Sequence, residues 1–254
     1  MLFSVGDLVS RNSYGNDLLF KIMSIDNNLV ILKGVNVRLV ADALIEDLKK
    51  VDTKDDEDDE ETIKKVEDFI NLDRSEYFYL PGKILHVDGD VDYLKRCEDF
   101  YKSIKVMAHC INISEEETAI KIIPYLNEIN PNIVVVTGHD AYNKETNTYR
   151  NTNNFIKSIK EIRKYEKSQD KVIIIAGACQ SNYESLIKAG ANFASSPKRI
   201  NIHALDPAII ASSVALSDKN KVIDLINILD KTKYKKEGMG GIITNGTMYV
   251  GYPR

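Results

Sequence analysis

Two residues with the chemistry of a thiol hydrolase, Cys179 and His139, each follow a run of apolar residues. Cys179 ends the segment VIIIAGAC, and His139 ends IVVVTGH. A thiolate within reach of an imidazole is the minimum apparatus for nucleophilic acyl transfer. We expect a helix N-terminus after Cys179 to lower the pKa of its thiol. The backbone N–H groups of Gly138 and Cys179 are the expected donors to an oxyanion.

These groups meet only if the two apolar runs are neighbouring strands of one sheet. Residues 77–254 alternate apolar strands with amphipathic helices, and runs such as IVVV and VIIIA are typical of a parallel sheet covered on both faces. Active groups collect at the C-terminal strand ends of such sheets. The pattern predicts an α/β fold over 77–254, with a doubly wound, mostly parallel sheet in a three-layer sandwich. It also predicts a helix at about 219–230, an N-cap at Asp206, and a hairpin around Asn245-Gly246.

The first third of the chain has a different character. Residues 1–50 contain short alternating runs separated by turn residues, which predicts a small N-terminal SH3-like β-barrel. The run DDEDDEE at 55–61 cannot pack, so residues 51–76 are predicted to be an acidic, partly helical linker.

Composition excludes several functional classes. The 254 residues carry a net charge of −4, which argues against chain-wide attraction to nucleic acid or anionic lipid. Three cysteines are too few for a disulfide framework, and we expect Cys97 and Cys110 to be core residues. The start of the chain lacks the pattern of a secretory signal, and no segment has the length of a membrane span. These features predict a cytoplasmic protein.

A second constellation indicates different chemistry. KILHVDGD ends in Asp88 and Asp90, and Thr137 ends another strand, as in haloacid-dehalogenase-like phosphohydrolases that bind Mg²⁺ through carboxylates. Lys188 or Lys198 could supply the lysine that such enzymes need. No acidic pair ends a later strand, and this hypothesis leaves Cys179 without a role.

Longer segments carry a family resemblance. PGKILHVDGDVDYLK, VVVTGHDAYNK, IIIAGACQSNYESLIKAGANFASSPKRINIHALDP and GMGGI together resemble the YabG family of sporulation-specific proteases, as does the opening FSVGDLVSRNSYGNDLLFKI. The resemblance implies a cysteine endopeptidase of sporulating cells that cleaves spore-coat and related precursor proteins after arginine and also processes itself. It implies Cys179 as the nucleophile and His139 as its base, without a metal or cofactor.

A more distant resemblance is to the caspase, gingipain, clostripain and separase group. The shared feature is a strand ending in histidine before a strand ending in Ala-Cys, and in caspases the two residues are about 50 positions apart. Here Cys179 follows His139 by 40 residues. That group commonly has glycine after the histidine, whereas here Asp140 follows. Asp140 is therefore expected to orient the imidazole or to face the substrate.

Arginine specificity requires a carboxylate in a pocket. Asp88 and Asp90 are the favoured candidates for this pocket, Asp140 and Asp206 are the reserves, and Ser195 and Ser196 could line it. Exposed arginines suggest self-processing sites at Arg150 and Arg74. A third hypothesis is a non-catalytic scaffold at the spore surface.

Overall fold

In the computed structural model, residues 3–52, 63–64 and 77–252 are described. Most of the predicted linker at 51–76, including Arg74, lies outside these ranges. The N-terminal part forms a five-stranded antiparallel sheet in the order β4-β3-β2-β1-β5. Its strands are β1 (Leu8–Arg11), β2 (Phe20–Asp26), β3 (Leu29–Gly34), β4 (Val40–Leu44) and β5 (Leu48–Lys50).

Apolar side chains on one face explain why this small sheet folds. Val9, Phe20, Ile22, Val30 and Leu32 are fully buried, while alternate residues of β2 face solvent. The antiparallel sheet agrees with the predicted all-β character of residues 1–50, and its assignment as an SH3-like barrel stays a prediction.

The C-terminal part is built on a six-stranded sheet in the order β14-β13-β12-β9-β7-β8. The strands are β7 (Ile84–Asp88), β8 (Ala108–Asn112), β9 (Ile133–Thr137), β12 (Ile173–Ala176), β13 (Phe193–Ser195) and β14 (Met239–Gly241). All neighbours are parallel except β14, which runs antiparallel to β13. The strand order reverses between β7 and β9, and in open α/β sheets ligands bind in the crevice at such a point.

Helices cover both faces of this sheet. They are α1 (Val91–Ser103), α2 (Glu115–Ile129), α3 (Thr152–Tyr165), α4 (Tyr183–Ala189), α5 (Asp206–Ala215), α6 (Leu225–Asp230) and α7 (Lys235–Gly238). Along β9, Val134 and Val136 join the core under α2, α3 and α4, whereas Ile133 and Val135 join the core under α1 and α5. The sheet is therefore buried on both sides, as its apolar strands predict. Among the described residues, no helix is both long and apolar enough to cross a bilayer.

Two short antiparallel pairs complete the described elements. One joins β6 (Phe78–Leu80) to β15 (Tyr249–Gly251), and the other joins β10 (Tyr142–Asn143) to β11 (Thr148–Tyr149).

The predicted hairpin around Asn245-Gly246 is wrong. The two strands beside it, β14 and β15, pair with β13 and β6 instead of with each other. Gly246 donates its N–H to the carbonyl of Lys221, 3.2 Å away, and this contact ties the turn to the segment before α6.

Two predicted helix starts also differ from the structure. The helix expected from 219 begins only at Leu225, because the Asp224 side chain accepts from the N–H of Asn227 and caps the helix there. Asp206 is the first residue of α5 rather than its cap, and its carboxylate accepts the N–H groups of His203 and Lys233.

The N-terminal sheet packs directly on the C-terminal part. We call residues 35–39, which connect β3 to β4, the β3–β4 turn. Val37 forms an antiparallel bridge with His203, and the Tyr93 hydroxyl donates to the carbonyls of Gly34 and Val37. One apolar cluster contains core residues of both sheets. The turn is thereby held at the C-terminal edge of the parallel sheet.

Gly177, directly after β12, is the glycine whose replacement we expect to cost most. Its φ of +109° disfavours any side chain, and an added Cβ would lie 2.8 Å from Leu186 Cδ1 and closer still to Ser195 Oγ. We predict that Gly177→Ala lowers the free energy of unfolding by about 2–4 kcal/mol, because strain and overlap add.

Urea denaturation would measure this loss, with Gly6→Ala as the matched control. Gly6 has a φ of +95° but nothing within 4 Å of an added Cβ, so only the strain, about 1 kcal/mol, should appear. Equal losses in the two variants would contradict the close packing at Gly177.

Candidate active site

Strand register places Cys179 and His139 at the same edge of the sheet. Strands β9 and β12 pair residue for residue, from Ile133 with Ile173 to Val136 with Ala176. The constant difference of 40 in this register equals the sequence offset between His139 and Cys179. Both residues therefore lie three positions past the last pair of the ladder, as the sequence predicts for neighbouring strands.

His139 is held through its ring and through its backbone. Its Nε2 lies 2.9 Å from Asp90 Oδ2, and its backbone N–H donates to Glu115 Oε1 at 2.6 Å. The ring of Tyr93 packs edge-on with a centroid separation of 5.5 Å. Within the described part of the chain, the buried Nδ1 of His139 has no hydrogen-bond partner. This nitrogen is the one available to exchange a proton with a substrate or a thiol.

Asp90 carries the negative charge beside this imidazole. Its carboxylate also accepts from Lys33 Nζ at 2.8 Å and caps α1 through the N–H groups of Asp92 and Tyr93. Burial alone would raise the pKa of Asp90, but the hydrogen bonds from His139 and Lys33 lower it well below its ordinary value. Asp90 is therefore ionised at neutral pH and orients the His139 ring.

Cys179 is fully buried, in contrast to the expected helix-activated thiol. The helix α4 begins at Tyr183 with Asn182 as its cap, so Cys179 precedes the helix by several residues. Burial raises the pKa of Cys179 to about 12, although N–H groups of Ile202 and Arg38 near the sulfur act in the opposite direction. The prediction of a lowered pKa is wrong for this conformation, because apolar burial outweighs the nearby donors.

The loop that carries Cys179 is fixed by side chains placed behind it. The hydroxyls of Ser195 and Ser196 donate to the carbonyl of Ala178, at 2.7 and 3.2 Å. Ser181 Oγ accepts the Ala178 N–H at 3.0 Å and donates to Asp140 Oδ2 at 2.8 Å. The two serines thus contact the backbone of the Cys179 loop, and Asp140 is linked to it through the hydroxyl of Ser181.

Asp140 also anchors the segment that follows it. It accepts the N–H groups of Ala141 and Asn151, and a hydrogen bond from the hydroxyl of Thr152. These contacts join the His139 loop, the Cys179 loop and the start of α3 through one buried carboxylate. The ring nitrogen of His139 is held by Asp90, so the structure gives the orienting position to Asp90 rather than to Asp140.

The N–H groups predicted to bind an oxyanion are buried and unpaired in the described part of the chain. Neighbouring amides are engaged, since those of His139, Ala178 and Gln180 donate to Glu115, Ser181 and Ile200. Among the described residues, the N–H groups of Gly138 and Cys179 have no hydrogen-bond acceptor. Two free amides at one sheet edge are suited to stabilise a developing negative charge.

The guanidinium group of Arg38 is bound at the end of β7, where the strand order reverses. Asp88 is fully buried and forms an ion pair with Nη1 of Arg38, a residue of the β3–β4 turn. The carbonyl of Ala204 accepts from Arg38 Nη2 at 2.7 Å and from Nε at 3.2 Å. Thr137 Oγ1 donates to the same oxygen of Asp88, Oδ2, at 2.6 Å. Asp88 and Ala204 thus form a guanidinium site, and Thr137 positions the Asp88 carboxylate.

The charge state of this site follows from its partners. Burial lowers the pKa of Arg38, but the charge of Asp88 raises it above its ordinary value. The adjacent His86 bonds Tyr101 and Thr137 at 2.9 Å each, and burial lowers its pKa to about 3. His86 is therefore a neutral core residue of β7.

The other sequence candidates lie elsewhere. Arg150 is exposed after the β10–β11 hairpin, and Asp206 is buried at the start of α5. Lys188 belongs to the last turn of α4, and the backbone N–H of Lys198 bonds Glu237. In the described ranges, no cluster of three or more His, Cys, Asp or Glu residues is placed to hold a metal ion.

Sequence reasoning missed the contribution of the N-terminal part. Lys33 and Arg38 reach Asp90 and Asp88 from β3 and the β3–β4 turn, over sequence distances of 57 and 50 residues. Glu115 was also missed, although three glutamates in succession after Ser114 gave a signal for a helix start.

Known proteins with similar sequences identify the family of this chain. The model of a family described as YabG peptidase U57 matches residues 4–253. The chain belongs to the YabG peptidase family. It is 38% identical over 287 aligned positions to the sporulation-specific protease YabG of Bacillus subtilis (strain 168), with all of this chain and 99% of that protein covered. The resemblance noted in the sequence is confirmed, and this YabG family member is a sporulation protease.

The Asp90 contacts predict a pH-dependent contribution to stability. Asp90→Asn keeps the helix cap but loses the charge that faces Lys33 and His139, so we expect unfolding free energy at pH 7 to fall by about 1–3 kcal/mol. The folded pKa of Asp90 is lowered, so its stabilisation is present above the ordinary value near 4. It is lost as the pH falls below that value.

Denaturant titrations at pH 7 and at about pH 3 would test this. The difference between wild type and Asp90→Asn should shrink at the lower pH. Asp92→Asn is the control, because Asp92 also pairs with Lys33 but its side chain is 71% exposed, and we expect little change. A difference at Asp90 that is independent of pH would contradict the assignment of its charge.

Proposed function

We propose that this YabG family protease is a cysteine endopeptidase that cleaves after arginine. Its nucleophile is Cys179, its general base and acid is His139, and Asp90 orients the imidazole. The observation that carries the proposal is the guanidinium held by Asp88 at the same sheet edge as Cys179 and His139.

The reaction proceeds by acyl transfer. The imidazole of His139 takes the proton of the Cys179 thiol through Nδ1, and the thiolate attacks the carbonyl carbon of the arginine residue. The N–H groups of Gly138 and Cys179 stabilise the negative charge on the carbonyl oxygen. His139 then protonates the leaving amine, and water hydrolyses the thioester and restores the thiol. Asp90 stabilises the imidazolium that forms between these steps.

Specificity for arginine follows from the donors and acceptors of the guanidinium site. The Asp88 carboxylate neutralises the charge, and the Ala204 carbonyl accepts two further N–H bonds. A lysine ammonium lacks the planar fork that engages both acceptors at once. We therefore propose Asp88 as the specificity carboxylate, whereas Asp90 belongs to the catalytic group.

Further parts of the proposal come from the family resemblance. The strand order is that of the flavodoxin-like sheets, 2-1-3-4-5, followed by an antiparallel edge strand, and it supports a caspase-like core. Spore-coat and related precursor proteins are the proposed substrates, in sporulating cells. Self-processing after Arg150 is compatible with its exposed position.

The two alternative hypotheses are less favoured. Membership of a peptidase family does not fit a phosphohydrolase, and Asp88 is already bound by Arg38 and Thr137. A non-catalytic scaffold would leave the unpaired amides of Gly138 and Cys179 unexplained.

Covalent labelling tests the nucleophile. We expect a peptidyl-arginine chloromethyl ketone to form a single adduct on Cys179 during a prolonged incubation, because this thiol shares the sheet edge with His139, whereas Cys97 lies on α1 and Cys110 inside β8. Peptide mass spectrometry would locate the adduct, and His139→Ala should remove it. Cys97 and Cys110 serve as internal controls. An adduct on either of these, with Cys179 unmodified, would refute the assignment.

Arginine recognition is tested by a double variant. Arg38→Gln combined with Asp88→Asn removes both charges together, so that no buried charge is left unpaired. We expect this variant to fold and to lose at least about 100-fold in kcat/KM on an arginine peptide relative to Arg38→Gln alone. An unchanged preference for arginine over a citrulline peptide would exclude Asp88 as the specificity residue.

A further inference from the structure

The guanidinium site is filled by the chain itself. Arg38 is completely buried, and its charge is neutralised by Asp88 rather than by solvent. Its guanidinium also contacts Cys97 Sγ at 3.4 Å and lies 5.2 Å from the centre of the Tyr93 ring. An incoming arginine side chain cannot enter while Arg38 is in place.

The backbone on either side of Arg38 also pairs with residues 202–204, as an additional strand would. Ala204 donates its N–H to the carbonyl of Asn36 at 3.0 Å, and Arg38 donates its N–H to the carbonyl of Ile202 at 3.4 Å. These bonds flank the antiparallel bridge between Val37 and His203. Main-chain pairing of this kind, with a side chain in a pocket, is how proteins recognise extended peptides.

The same segment covers the nucleophile. Ile202, which pairs with Arg38, also donates its N–H to the sulfur of Cys179 at 3.3 Å. Cys179 has no exposed surface, although it stands at a sheet edge where ligands bind. The N–H group of Arg38 also approaches this sulfur, so the β3–β4 turn contacts the thiol as well as the guanidinium site.

The geometry at Arg38 differs from that of an extended peptide. The N–H of Leu39 donates to the carbonyl of Val37 at 2.9 Å, which folds the chain back at Arg38. The carbonyl of Leu39 accepts from Gly34 at 2.7 Å, which keeps Leu39 within the N-terminal sheet. The bond after Arg38 thus turns away along β4 instead of continuing past Cys179.

We propose that the β3–β4 turn is an internal, uncleaved inhibitor that occupies the arginine site and covers Cys179, so that the protease is latent until this turn is displaced. The inference rests on the proposed function and adds its regulation. It assigns to residues 202–204 the binding of substrate backbone, because this segment now pairs with residues 36–38.

The strength of this inhibition follows from the covalent link between the β3–β4 turn and the rest of the chain. A group linked within the same chain competes at an effective concentration of order mM, whereas peptide substrates have KM values of about 1 μM to 1 mM. At reporter concentrations below KM, the observed rate falls by the ratio of closed to open molecules. For a KM of about 0.1 mM or below this ratio is at least about ten, so we expect removal of Arg38 to accelerate reactions at this site at least about tenfold.

The test uses full-length Arg38→Gln and two readouts. The first is the rate of Cys179 alkylation by iodoacetamide, a small neutral reagent that needs access but no arginine site. The second is hydrolysis of a peptidyl-arginine reporter. We expect both rates to rise at least about tenfold, with circular dichroism unchanged and Cys110 alkylation as an internal reference.

Arg96→Gln provides a second variant that leaves the buried ion pair intact. Arg96, on α1, donates to the carbonyl of Val35 and to Asn36 Oδ1, and so holds the turn from outside. We expect Cys179 alkylation to rise about threefold or more. Lys95→Gln, next to it on the same helix, is the matched control, because Lys95 pairs only with Glu98 and Asp99 at the surface.

The outcomes separate the two proposals. Faster alkylation without reporter hydrolysis would support the covering turn and refute the protease mechanism. Unchanged alkylation in folded Arg38→Gln and Arg96→Gln would overturn the inference and leave the mechanism standing. A wild-type fragment beginning at Leu39 in intact-mass spectra would also overturn it, since the turn would then be a substrate.

Discussion

The ion pair between Arg38 and Asp88 is the contact on which the arrangement of this protein depends. Both side chains are fully buried, and the pair joins the N-terminal sheet to the strand edge of the α/β part. A buried ion pair contributes little net stability over apolar packing, but loss of one partner costs about 3–5 kcal/mol. The pair therefore gives specificity of placement more than stability. It holds the β3–β4 turn at the sheet edge that carries Cys179, and under the proposed function it occupies the site of the substrate arginine.

Much of the α/β part could be predicted from its apolar strands. IVVV and VIIIA indicated a sheet buried on both faces, and the offset of 40 between His139 and Cys179 is the strand register itself. The tail could not be predicted in this way, because Asn245-Gly246 is a hairpin signal only when the flanking strands face each other. Here β14 pairs with β13, and β15 pairs with β6. Both partners are distant in sequence.

The site was predicted less completely than the fold, for a related reason. Strand ends identify Asp88, Asp90, His139 and Cys179 as one group, but they do not divide the tasks among them. The different roles of Asp90 and Asp88 depend on Lys33 and Arg38, which contact them from the N-terminal part of the chain. The prediction of a lowered thiol pKa failed for the same cause. Cys179 lies against the N–H groups of Ile202 and Arg38, which are distant in sequence, and burial raises its pKa to about 12.

The central claim is that Arg38 lies where the arginine of a substrate binds, and hydrogen exchange on an inhibited complex tests it most directly. A reversible peptidyl-arginine aldehyde would be added in saturating amounts to the full-length protein, and amide exchange would be followed by mass spectrometry. If the claim is correct, exchange in residues 34–39 accelerates on binding, because the inhibitor displaces the turn, while residues 202–204 stay protected by the inhibitor backbone. Unchanged protection of residues 34–39 with the aldehyde bound to Cys179 would contradict it.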